Sequence, residues 1–243
     1  MLFSKSTVTH DLPCEVIVKG EEISLSYEGN TVVSGLSFEI RRGDYLCIVG
    51  NNGSGKSTLL RAMLGLKDIS GGSLMISSDA RSAGFGYLPQ ASAAEKDFPA
   101  SVREVVLSGC LGKAGLRPFY SKNDKALAAS AMERMNISEL ANRSYRELSG
   151  GQQQRVRLSR AYCATGEVLF LDEPVAGLDP ESAAEMYRLI NDMNRDGITI
   201  VMVSHDIPAT ESYASHVLHV GGVGGEHFFG TAKEYASRNM EGR

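Results

Sequence analysis

A glycine-rich loop at residues 50–58 has the residue types and the spacing needed to bind phosphate. It matches the pattern G-x-x-x-x-G-K-[ST], in which backbone N–H groups cradle phosphate oxygens. Lys56 would reach the terminal phosphates of a nucleotide, and the Ser57 hydroxyl would ligate Mg²⁺. The alternative is a glycine-rich turn with an unrelated lysine, and the sequence on both flanks argues against it. The candidate nucleotide-binding residues are Gly50, Asn51, Asn52, Gly53, Ser54, Gly55, Lys56, Ser57 and Thr58.

Two neighbouring carboxylates, Asp172 and Glu173, follow the apolar run from Val168 to Leu171. Adjacent carboxylates at the end of a buried strand are costly unless they are paired, hydrated or bound to a metal. Alternation along the strand would point the two side chains in opposite directions. One carboxylate can therefore serve Mg²⁺ while its neighbour faces a nucleophilic water.

A second glycine-containing motif has the character of a helix start. Ser149 and Gln152 are spaced as a capping box, which predicts a helix that runs through about Ala164. Capping does not explain Gly150 and Gly151, because glycine costs about 1 kcal/mol per residue in helix propensity. Glycines at a helix N-terminus let a ligand approach the backbone closely, and a phosphate is the natural candidate.

Three further residues lie at the ends of predicted elements. His205 follows the apolar run at residues 198–203, which predicts a third buried strand. Asp179 and Pro180 predict a helix start, and capping is a sufficient local explanation for Asp179. Tyr27 ends a predicted strand, where an exposed ring could stack on a nucleotide base. An ordinary cross-strand tyrosine is the alternative reading of Tyr27.

The elements that must position these residues alternate between strands and helices. Residues 45–49 predict a buried strand before the phosphate loop, and Leu59, Leu60, Met63 and Leu64 recur at helical spacing behind it. Phosphate binding requires this order, because the helix N-terminus adds its partial positive charge. Three predicted strands end in candidate chemistry, and open parallel sheets bind ligands outside the carboxyl ends of their strands.

Two regions of different character accompany these strands. Residues 15–40 contain short apolar runs, two of them with period-two alternation, and predict a small antiparallel sheet. Residues 91–147 have the character of helices and predict a helical region, with a capping box that begins at Ser101 and an amphipathic helix from Lys122 to Met135. The glycines and the proline between Cys110 and Ser121 predict a loop.

Composition limits the classes of function. The chain has 243 residues, with 25 Lys and Arg against 29 Asp and Glu, for a formal net charge of -4. The length suits one large domain or a domain with an insertion, and the mild acidity gives no support for a nucleic-acid partner. We expect no membrane-spanning helix and no signal peptide. The four cysteines form no C-x-x-C pair, which favours reduced, buried thiols in a cytoplasmic protein.

Three histidines near the C-terminus raise the question of a metal site. His216 and His219 are three residues apart on a predicted strand, so their side chains would face opposite sides. That arrangement argues against shared metal ligation. Residues 217–229, which include His227, predict a closing hairpin, and Thr231 would cap a final helix.

Together these motifs resemble the ATP-binding subunit of an ABC transporter, and the likeness covers nearly the whole chain from about Val16. Residues 50–58 correspond to the Walker A loop of that family and residues 168–173 to Walker B. Residues 148–152, Leu-Ser-Gly-Gly-Gln, are similar to its signature motif, which is far more specific than Walker A alone. Gln90, in Tyr-Leu-Pro-Gln, has the position of the glutamine loop.

The resemblance also assigns roles to residues that local structure would explain on its own. Asp179 lies in the D-loop, His205 corresponds to the switch histidine, and Tyr27 is placed like the aromatic residue that stacks on adenine. In the family, the signature of one subunit closes over ATP held by another. Ser149 and Gly151 would therefore serve a second copy of the chain in a head-to-tail dimer with two ATP molecules.

ATP and Mg²⁺ are the cofactors that the resemblance implies. Ser57, Asp172 and Gln90 would hold Mg²⁺, Asp172 through a water. Glu173 would polarise the attacking water, and His205 with Gln90 would complete the surroundings of the γ-phosphate. Phosphoryl transfer depends mainly on positioning and charge stabilisation, so we expect the loss of one such group to be severe.

The implied fold class is α/β. It comprises a P-loop NTPase core with a mainly parallel sheet, an N-terminal antiparallel β-subdomain and an inserted helical subdomain. We expect a single ABC ATPase domain at residues 15–240. The core and β-subdomain would occupy residues 15–90 and 165–240, and the helical subdomain about residues 91–164.

Substrate and partners are indicated by weaker similarity. Residues 98–109 and 204–220 are similar to importers of zinc and manganese, and importers of iron chelates (siderophores) or cobalamin come next. The expected partners are a transmembrane permease, docking on the stretch from Gln90 to about Arg103, and indirectly a substrate-binding protein. We expect no nucleic-acid partner. The chain would lie in the cytoplasm, on the inner face of the cell membrane.

Two other classes fit the sequence less well. An ABC ATPase that moves no substrate would carry a long coiled-coil insertion or a second such domain, and the sequence has neither feature. A P-loop GTPase or kinase would leave the signature-like residues 148–152 unexplained. We therefore expect a transport ATPase.

Overall fold

The computed structural model describes residues 7–8, 15–90, 99–114 and 117–241. They belong to two compact units. Unit 1 comprises the described residues of Met1–Ser82 and Gly197–Arg243, and unit 2 comprises those of Ala83–Asp196. The helical region predicted at about residues 91–164 falls within unit 2.

Strands and helices follow one another along most of the described chain. In order, the strands are β1 (Thr7–Val8), β2 (Val16–Tyr27), β3 (Asn30–Arg41), β4 (Tyr45–Val49), β5 (Gly71–Ile76), β6 (Phe85–Leu88), β7 (Val168–Asp172), β8 (Thr199–Val203), β9 (His216–His219) and β10 (Phe228–Thr231). The helices are α1 (Lys56–Met63), α2 (Ser78–Ala83), α3 (Val102–Ser108), α4 (Leu111–Ala114), α5 (Lys122–Arg134), α6 (Gly150–Ala164), α7 (Pro180–Arg195), α8 (Ile207–Tyr213) and α9 (Ala232–Glu241). Short 3-10 helices occur at Ser138–Leu140 and Tyr145–Glu147.

The first sheet of unit 1 is mainly antiparallel, with strand order β1-β5-β2-β3. It confirms the antiparallel sheet predicted for residues 15–40, and the short apolar runs at residues 16–18 and 23–27 form one continuous strand, β2. Glu22 interrupts its register with a φ of 50°, and its N–H donates to Ser37 Oγ at 3.0 Å. A bulge of this kind lets a strand continue past a local break in alternation.

The remaining strands of unit 1 carry the phosphate loop. β4 runs parallel to β8 on one side and to β9 on the other, and β10 pairs with β9 in antiparallel fashion. Every residue of β4 and β8 is buried, as expected for continuous apolar runs in a parallel arrangement. The β9–β10 pair confirms the predicted hairpin.

Unit 2 pairs two parallel strands, β6 and β7, with a group of helices. α6 contacts β6, α3 and α5, so it lies at the centre of the unit. The capping boxes predicted at Ser101 and Ser149 are confirmed, and Ser121 forms a third at the start of α5. Antiparallel and parallel strands with packed helices confirm the α/β class.

The prediction of a loop between Cys110 and Ser121 is wrong at its start, because α4 occupies Leu111–Ala114. Tertiary contacts override the glycine signal there. The Lys113 ammonium donates to Thr165 O, 52 residues away, at 2.6 Å, and within the turn the Lys113 N–H donates to Cys110 O at 3.1 Å. Residues 115–116 of this predicted loop lie outside the described residues.

Three of the cysteines are free and buried, namely Cys47, Cys110 and Cys163. Burial raises the pKa of the Cys47 and Cys163 thiols to about 12 and also raises that of Cys110. All three agree with the expectation of reduced, buried thiols. Their raised pKa values also make them unreactive, since the thiolate is the reactive form. Cys14 lies outside the described residues.

Gly109, the C-cap of α3, lies against the backbone of α6 in unit 2. A Cβ at Gly109 would overlap the carbonyl oxygen of Arg160 and would lie 2.9 Å from the Cys163 Cβ. A Cβ at Gly112, in α4, would meet no atom within 4 Å. The two glycines therefore provide a matched pair of substitutions.

We expect Gly109→Ala to lower the free energy of unfolding by about 1–3 kcal/mol, the usual cost of overpacking a core. Gly112→Ala should change it by less than about 1 kcal/mol, in the stabilising direction, because alanine favours the helix. Urea denaturation followed by circular dichroism measures both. Equal destabilisation by the two variants would contradict the close helix contact.

Candidate active site

The phosphate loop follows β4 in unit 1 and depends on three glycines with positive φ. Gly50 has φ 143°, and a Cβ there would overlap the carbonyl oxygen of Val220. Gly55 has φ 99°, and a Cβ there would lie 2.5 Å from Val33 Cγ2. Gly53 has φ 77° but would meet nothing within 4 Å, so its surroundings leave room for a ligand beside the backbone. The loop therefore has the open cradle that phosphate oxygens require.

Lys56 lies across this loop. Lys56 is buried, with only 5% of its surface exposed. Its Nζ donates to Gly50 O at 2.9 Å and to Asn51 O at 2.8 Å. The Ser54 N–H donates to Asn51 O at 3.2 Å, while Asn52 is exposed at the turn. The ammonium is thus held against the backbone that would surround the phosphates.

The helix behind the loop presents its N-terminus to it. Gly55 is the N-cap of α1 and contributes no side chain, and the first turn, with Ser57 and Thr58, contains no acidic residue. The partial positive charge of the helix end is therefore not neutralised locally. Both hydroxyl side chains are half-buried in this turn.

Unit 1 also fixes the backbone around His205, which is exposed just beyond β8. On one side, the N–H of buried Ser204 donates to Ile48 O at 3.1 Å. On the other, Asp206 caps α8 by accepting from the Ala209 N–H at 3.0 Å. The sequence analysis did not identify α8. Its start signal was nevertheless present, because Asp206 and Pro208 are typical of a helix N-terminus.

Tyr27 is the last residue of β2 and is 50% exposed. Lys67 Nζ lies 5.9 Å from the centroid of its ring, within the range of a cation–π contact. Tyr27 pairs with Asn30 across β2 and β3, so it also fits the reading as a cross-strand tyrosine. Its exposure leaves ring surface that can meet a base.

In unit 2, Asp172 and Glu173 have different surroundings. Asp172 is the last residue of β7 and is 1% exposed. Glu173 is half-buried with φ 51°, so the chain leaves the strand in a left-handed conformation, and strand alternation is not what separates the two side chains. Such a conformation costs on the order of 1–3 kcal/mol and persists where the surroundings enforce it, commonly at active sites.

Gln90 contacts Glu173 directly in unit 2. Its Nε2 donates to Glu173 Oε2 at 3.1 Å, although the two residues are 83 positions apart in the chain. The Gln90 amide oxygen remains available as an acceptor for a cation or a water. Gln90 and Glu173 therefore form a polar pair at the ends of β6 and β7.

The start of α6 shows why its glycines are tolerated. The Ser149 N–H donates to Gln152 Oε1 at 3.0 Å, and the Gln152 N–H donates to Ser149 Oγ at 3.3 Å. A Cβ at Gly150 would meet nothing within 4 Å, whereas one at Gly151 would lie 3.1 Å from Ser182 Oγ. Gly151 thus has an internal packing reason as well, while Gly150 leaves the helix backbone open.

Asp179 caps α7 as the sequence predicts. Its carboxylate accepts from the Ser182 N–H at 2.9 Å and from the Ser182 hydroxyl at 2.7 Å. These bonds, the backbone one first, hold the pKa of Asp179 below its usual range. Ser182 therefore stands between Asp179 and Gly151, and links the two predicted motifs within unit 2.

Sequence reasoning missed two polar residues on α6. Gln154 is 7% exposed, and its Nε2 donates to Pro174 O at 2.5 Å. Arg157 donates from Nη1 to Gln154 Oε1 at 2.8 Å and from Nη2 to Pro89 O at 2.7 Å. The sequence carried one signal for Gln154. It lies four residues before Leu158, so it shares the apolar face of the helix, and a buried polar side chain needs a specific hydrogen-bond partner.

The C-terminal histidines have separate partners in unit 1. His216 Nδ1 lies 3.5 Å from Asp44 Oδ1, and His219 Nδ1 lies 3.0 Å from the hydroxyl of Tyr235. Burial is the main cause that lowers the pKa of His219. His227 Nδ1 accepts from a backbone N–H at 3.1 Å. Among the described residues, no group of three or more His, Cys, Asp or Glu could hold a metal ion.

Comparison with known proteins places this geometry in a family. The family model described as ABC transporter matches residues 33–176, which include the phosphate loop, the signature-like motif and Asp172-Glu173. The chain belongs to the ABC transporter family. It is an ATP-binding and ATP-hydrolysing domain of the ABC type.

Curated relatives extend the match over most of this ABC ATPase. It is 35% identical to the zinc uptake system ATP-binding protein ZurA of Listeria innocua, over 93% of this chain and 91% of that protein. It is 35% identical to the manganese transport system ATP-binding protein MntB of Bacillus subtilis, over 83% and 82%. The zinc transport system ATP-binding protein TroB of Treponema pallidum is 36% identical, over 83% and 77%.

Solved structures show the same fold. A metal-chelate type ABC transporter in an inward-facing conformation matches with a TM-score of 0.81 and 26% identity, over 90% of this chain and 84% of that chain. The protein cbiO1 of Clostridium perfringens, part of the ABC transporter complex cbiONQ, matches with a TM-score of 0.78 and 28% identity, over 93% and 92%. In the described part of this ABC ATPase, no helix has the length and apolar character needed to cross a membrane.

We expect Lys56→Ala to weaken ATP binding about 10- to 100-fold, because hydrogen bonds to charged groups contribute roughly 1.5–3 kcal/mol. Isothermal titration calorimetry with ATP measures the dissociation constant. Lys19→Ala is the control, since Lys19 pairs with Glu21 on the surface at 2.7 Å and should leave the affinity unchanged. An unchanged ATP affinity in Lys56→Ala would refute the phosphate role.

Proposed function

We propose that this ABC ATPase is the energising subunit of an importer for a divalent metal ion, zinc or manganese. The observation that carries the substrate class is the likeness to relatives named for zinc uptake, manganese transport and zinc transport, which spans 83% to 93% of the chain. ATP hydrolysis by the residues described above would drive the transport step.

The phosphate loop supplies the binding part of this function. Backbone N–H groups of residues 50–58 and the N-terminus of α1 would surround the β- and γ-phosphates. The Lys56 ammonium, now bonded to two neutral carbonyls of the same loop, would exchange them for phosphate oxygens of full negative charge. The exposed ring of Tyr27 would stack on adenine.

The chemistry of the donor groups fits Mg²⁺, which prefers oxygen ligands. We assign the Ser57 hydroxyl, the Asp172 carboxylate and the Gln90 amide oxygen to the ion. Asp172 supports this assignment because it is a carboxylate only 1% exposed at the end of a strand, where a cation offsets the cost of burial. When bound, Mg²⁺ would neutralise charge on the phosphates.

Glu173 is the proposed base. Its carboxylate is half-buried and oriented by the Gln90 amide at 3.1 Å. A carboxylate oxygen carries two lone pairs and can accept a hydrogen bond from the attacking water. His205, exposed at the end of β8, would stabilise charge on the γ-phosphate. Most of the rate enhancement in phosphoryl transfer comes from such positioning and charge stabilisation.

The start of α6 supports a role in a second copy of the chain. The Gly150 backbone faces open space, with nothing within 4 Å of an added Cβ, so a phosphate can approach the helix N-terminus there. We propose that Ser149, Gly151 and Gln152 close over ATP held by another copy. Two copies in head-to-tail arrangement would then enclose two ATP molecules, with Asp179 near the shared boundary.

A cavity of about 560 Å³ in unit 2 supports a permease partner. Its lining includes Pro99 and Ala100, from the stretch expected to dock that subunit, together with Tyr87, Val105 and Tyr145. Residues 91–98 of the stretch lie outside the described residues. We propose that a cytoplasmic segment of a transmembrane permease binds here, which would hold the ATPase on the inner face of the cell membrane. A substrate-binding protein would act indirectly, through the permease.

A second candidate substrate class is a metal chelate, such as an iron siderophore or cobalamin. The observation in its favour is the structural match to a metal-chelate type ABC transporter, at a TM-score of 0.81. Its sequence identity, 26%, is lower than the 35% shared with the zinc and manganese relatives. The divalent metal ion is therefore the first choice.

We expect Glu173→Gln to lower kcat for ATP hydrolysis at least about 100-fold, as for loss of other preorganised catalytic groups. The amide keeps the shape of the side chain but cannot take a proton from water. ATP affinity should remain, and size-exclusion chromatography with ATP should show a dimer. Glu133→Gln, on an exposed face of α5, is the control and should hydrolyse ATP at the rate of the unaltered chain.

Retained turnover in Glu173→Gln would remove Glu173 as the base. Absence of an ATP-dependent dimer in both the variant and the unaltered chain would contradict the proposed head-to-tail arrangement.

Deleting the gene from its host tests the substrate. We expect poor growth in medium depleted of divalent metal by a chelator, with growth restored by zinc or manganese or by the intact gene, but not by the Glu173→Gln allele. Restoration by a siderophore or cobalamin alone would favour the second candidate and contradict the first. Neighbouring genes for a metal-binding lipoprotein and a multi-span permease would support metal import.

A further inference from the structure

Four side chains and two backbone carbonyls in unit 2 form a closed ring of covalent and hydrogen-bonded links. Pro89 and Gln90 are adjacent at the end of β6, and Glu173 and Pro174 are adjacent at the end of β7. Gln90 bonds the carboxylate of Glu173. Gln154 and Arg157, which we call the α6 pair, join the two proline carbonyls on the other side of the ring.

The hydrogen bonds of the α6 pair join groups that have few alternative partners. The Gln154 amide is 7% exposed, so a lost partner would leave it buried without a hydrogen bond. Pro174 has no backbone N–H, because it is a proline. A side chain can therefore hydrogen-bond its backbone only through the carbonyl oxygen. The Arg157 guanidinium donates to Pro89 O and Gln154 Oε1 from two different nitrogens, which fixes its plane.

The position of Pro174 matters because Glu173 has a left-handed backbone, with φ 51°. A non-glycine residue keeps this conformation only where its neighbours enforce it. On its C-terminal side, the turn is closed by the Ala176 N–H, which donates to Glu173 O at 3.1 Å. The bond from Gln154 to Pro174 O is a second restraint, applied directly beyond the strained residue.

We propose that Gln154 and Arg157 are positioning residues for ATP hydrolysis. By holding the Pro174 carbonyl to the end of β6, they keep the backbone of Glu173 left-handed and its carboxylate against Gln90. The inference rests on the proposed role of Glu173 as the base. It assigns the α6 pair no contact with ATP, so their loss should change the rate of turnover and spare nucleotide binding.

The test is steady-state ATP hydrolysis by the full chain and by Arg157→Met and Gln154→Glu. Met keeps the unbranched chain but removes the donors. Glu keeps the shape and the acceptor for Arg157, but loses the N–H that reaches Pro174 O. We expect kcat to fall about 10- to 100-fold in each, the usual effect of displacing a catalytic group by about 1 Å. KM and the ATP dissociation constant should stay within about twofold, a margin of 0.4 kcal/mol or so.

Two further variants separate positioning from general damage. Arg157→Lys keeps a charged donor that can reach one carbonyl, so it should recover part of the lost kcat. The double variant Arg157→Met with Gln154→Glu should lose no more than either single variant, because residues that act as one unit are not additive. Arg160→Met is the matched control one turn along α6, where Arg160 Nε bonds Ser108 Oγ at 2.9 Å. It should leave kcat unchanged.

The proposal is overturned if Arg157→Met and Gln154→Glu keep the kcat of the unaltered chain, or if their loss lies in KM and ATP affinity. It is also overturned if Arg160→Met lowers kcat as much as Arg157→Met. Glu173→Gln tests the proposed base separately from the positioning role of the α6 pair. If that variant still hydrolyses ATP, the proposed base is wrong, whereas loss of turnover there with normal rates in the α6 variants removes the positioning role alone.

Discussion

The backbone of Glu173 is the constraint on which the proposed chemistry of unit 2 depends. β7 is buried at every residue, so its direction is fixed, and the chain must leave it at once to present a carboxylate outside the strand. A φ of 51° makes this turn within a single residue. The cost of that conformation is met by polar contacts that also orient the side chain, so backbone strain and orientation have the same source.

The phosphate loop in unit 1 meets a similar requirement in the opposite way. It also follows a fully buried strand, β4, but the chain turns there at glycines. Glycine has no Cβ, so it adopts a positive φ without steric strain. At Gly50 the backbone passes so close to Val220 O that a Cβ is excluded. In the proposed site, one strand end would use backbone groups as phosphate ligands and needs glycine, while the other would use a side chain and accepts strain.

Local signals in the sequence were sufficient for the motifs and for the strands and helix starts that carry them. Apolar runs gave β4, β7 and β8, and capping boxes gave the starts of α3 and α6, because strand burial and helix capping depend on neighbouring residues. The sequence did not predict α4, which is set by a contact with Thr165, or the α6 pair. Hydrogen bonds between residues such as Arg157 and Pro89 join positions 68 apart and leave no periodic signal.

The absent side chain at Gly109 has a mechanical consequence. With the backbones of α3 and α6 in direct contact there, and α3 otherwise packed along α6, the two helices have little freedom to slide past each other. A displacement of α3 would be transmitted directly to α6, because no side chain at Gly109 separates the two backbones. α6 would then tilt as a stiff rod, and the open glycine turn at its N-terminus and the buried Gln154 amide one turn later would move together.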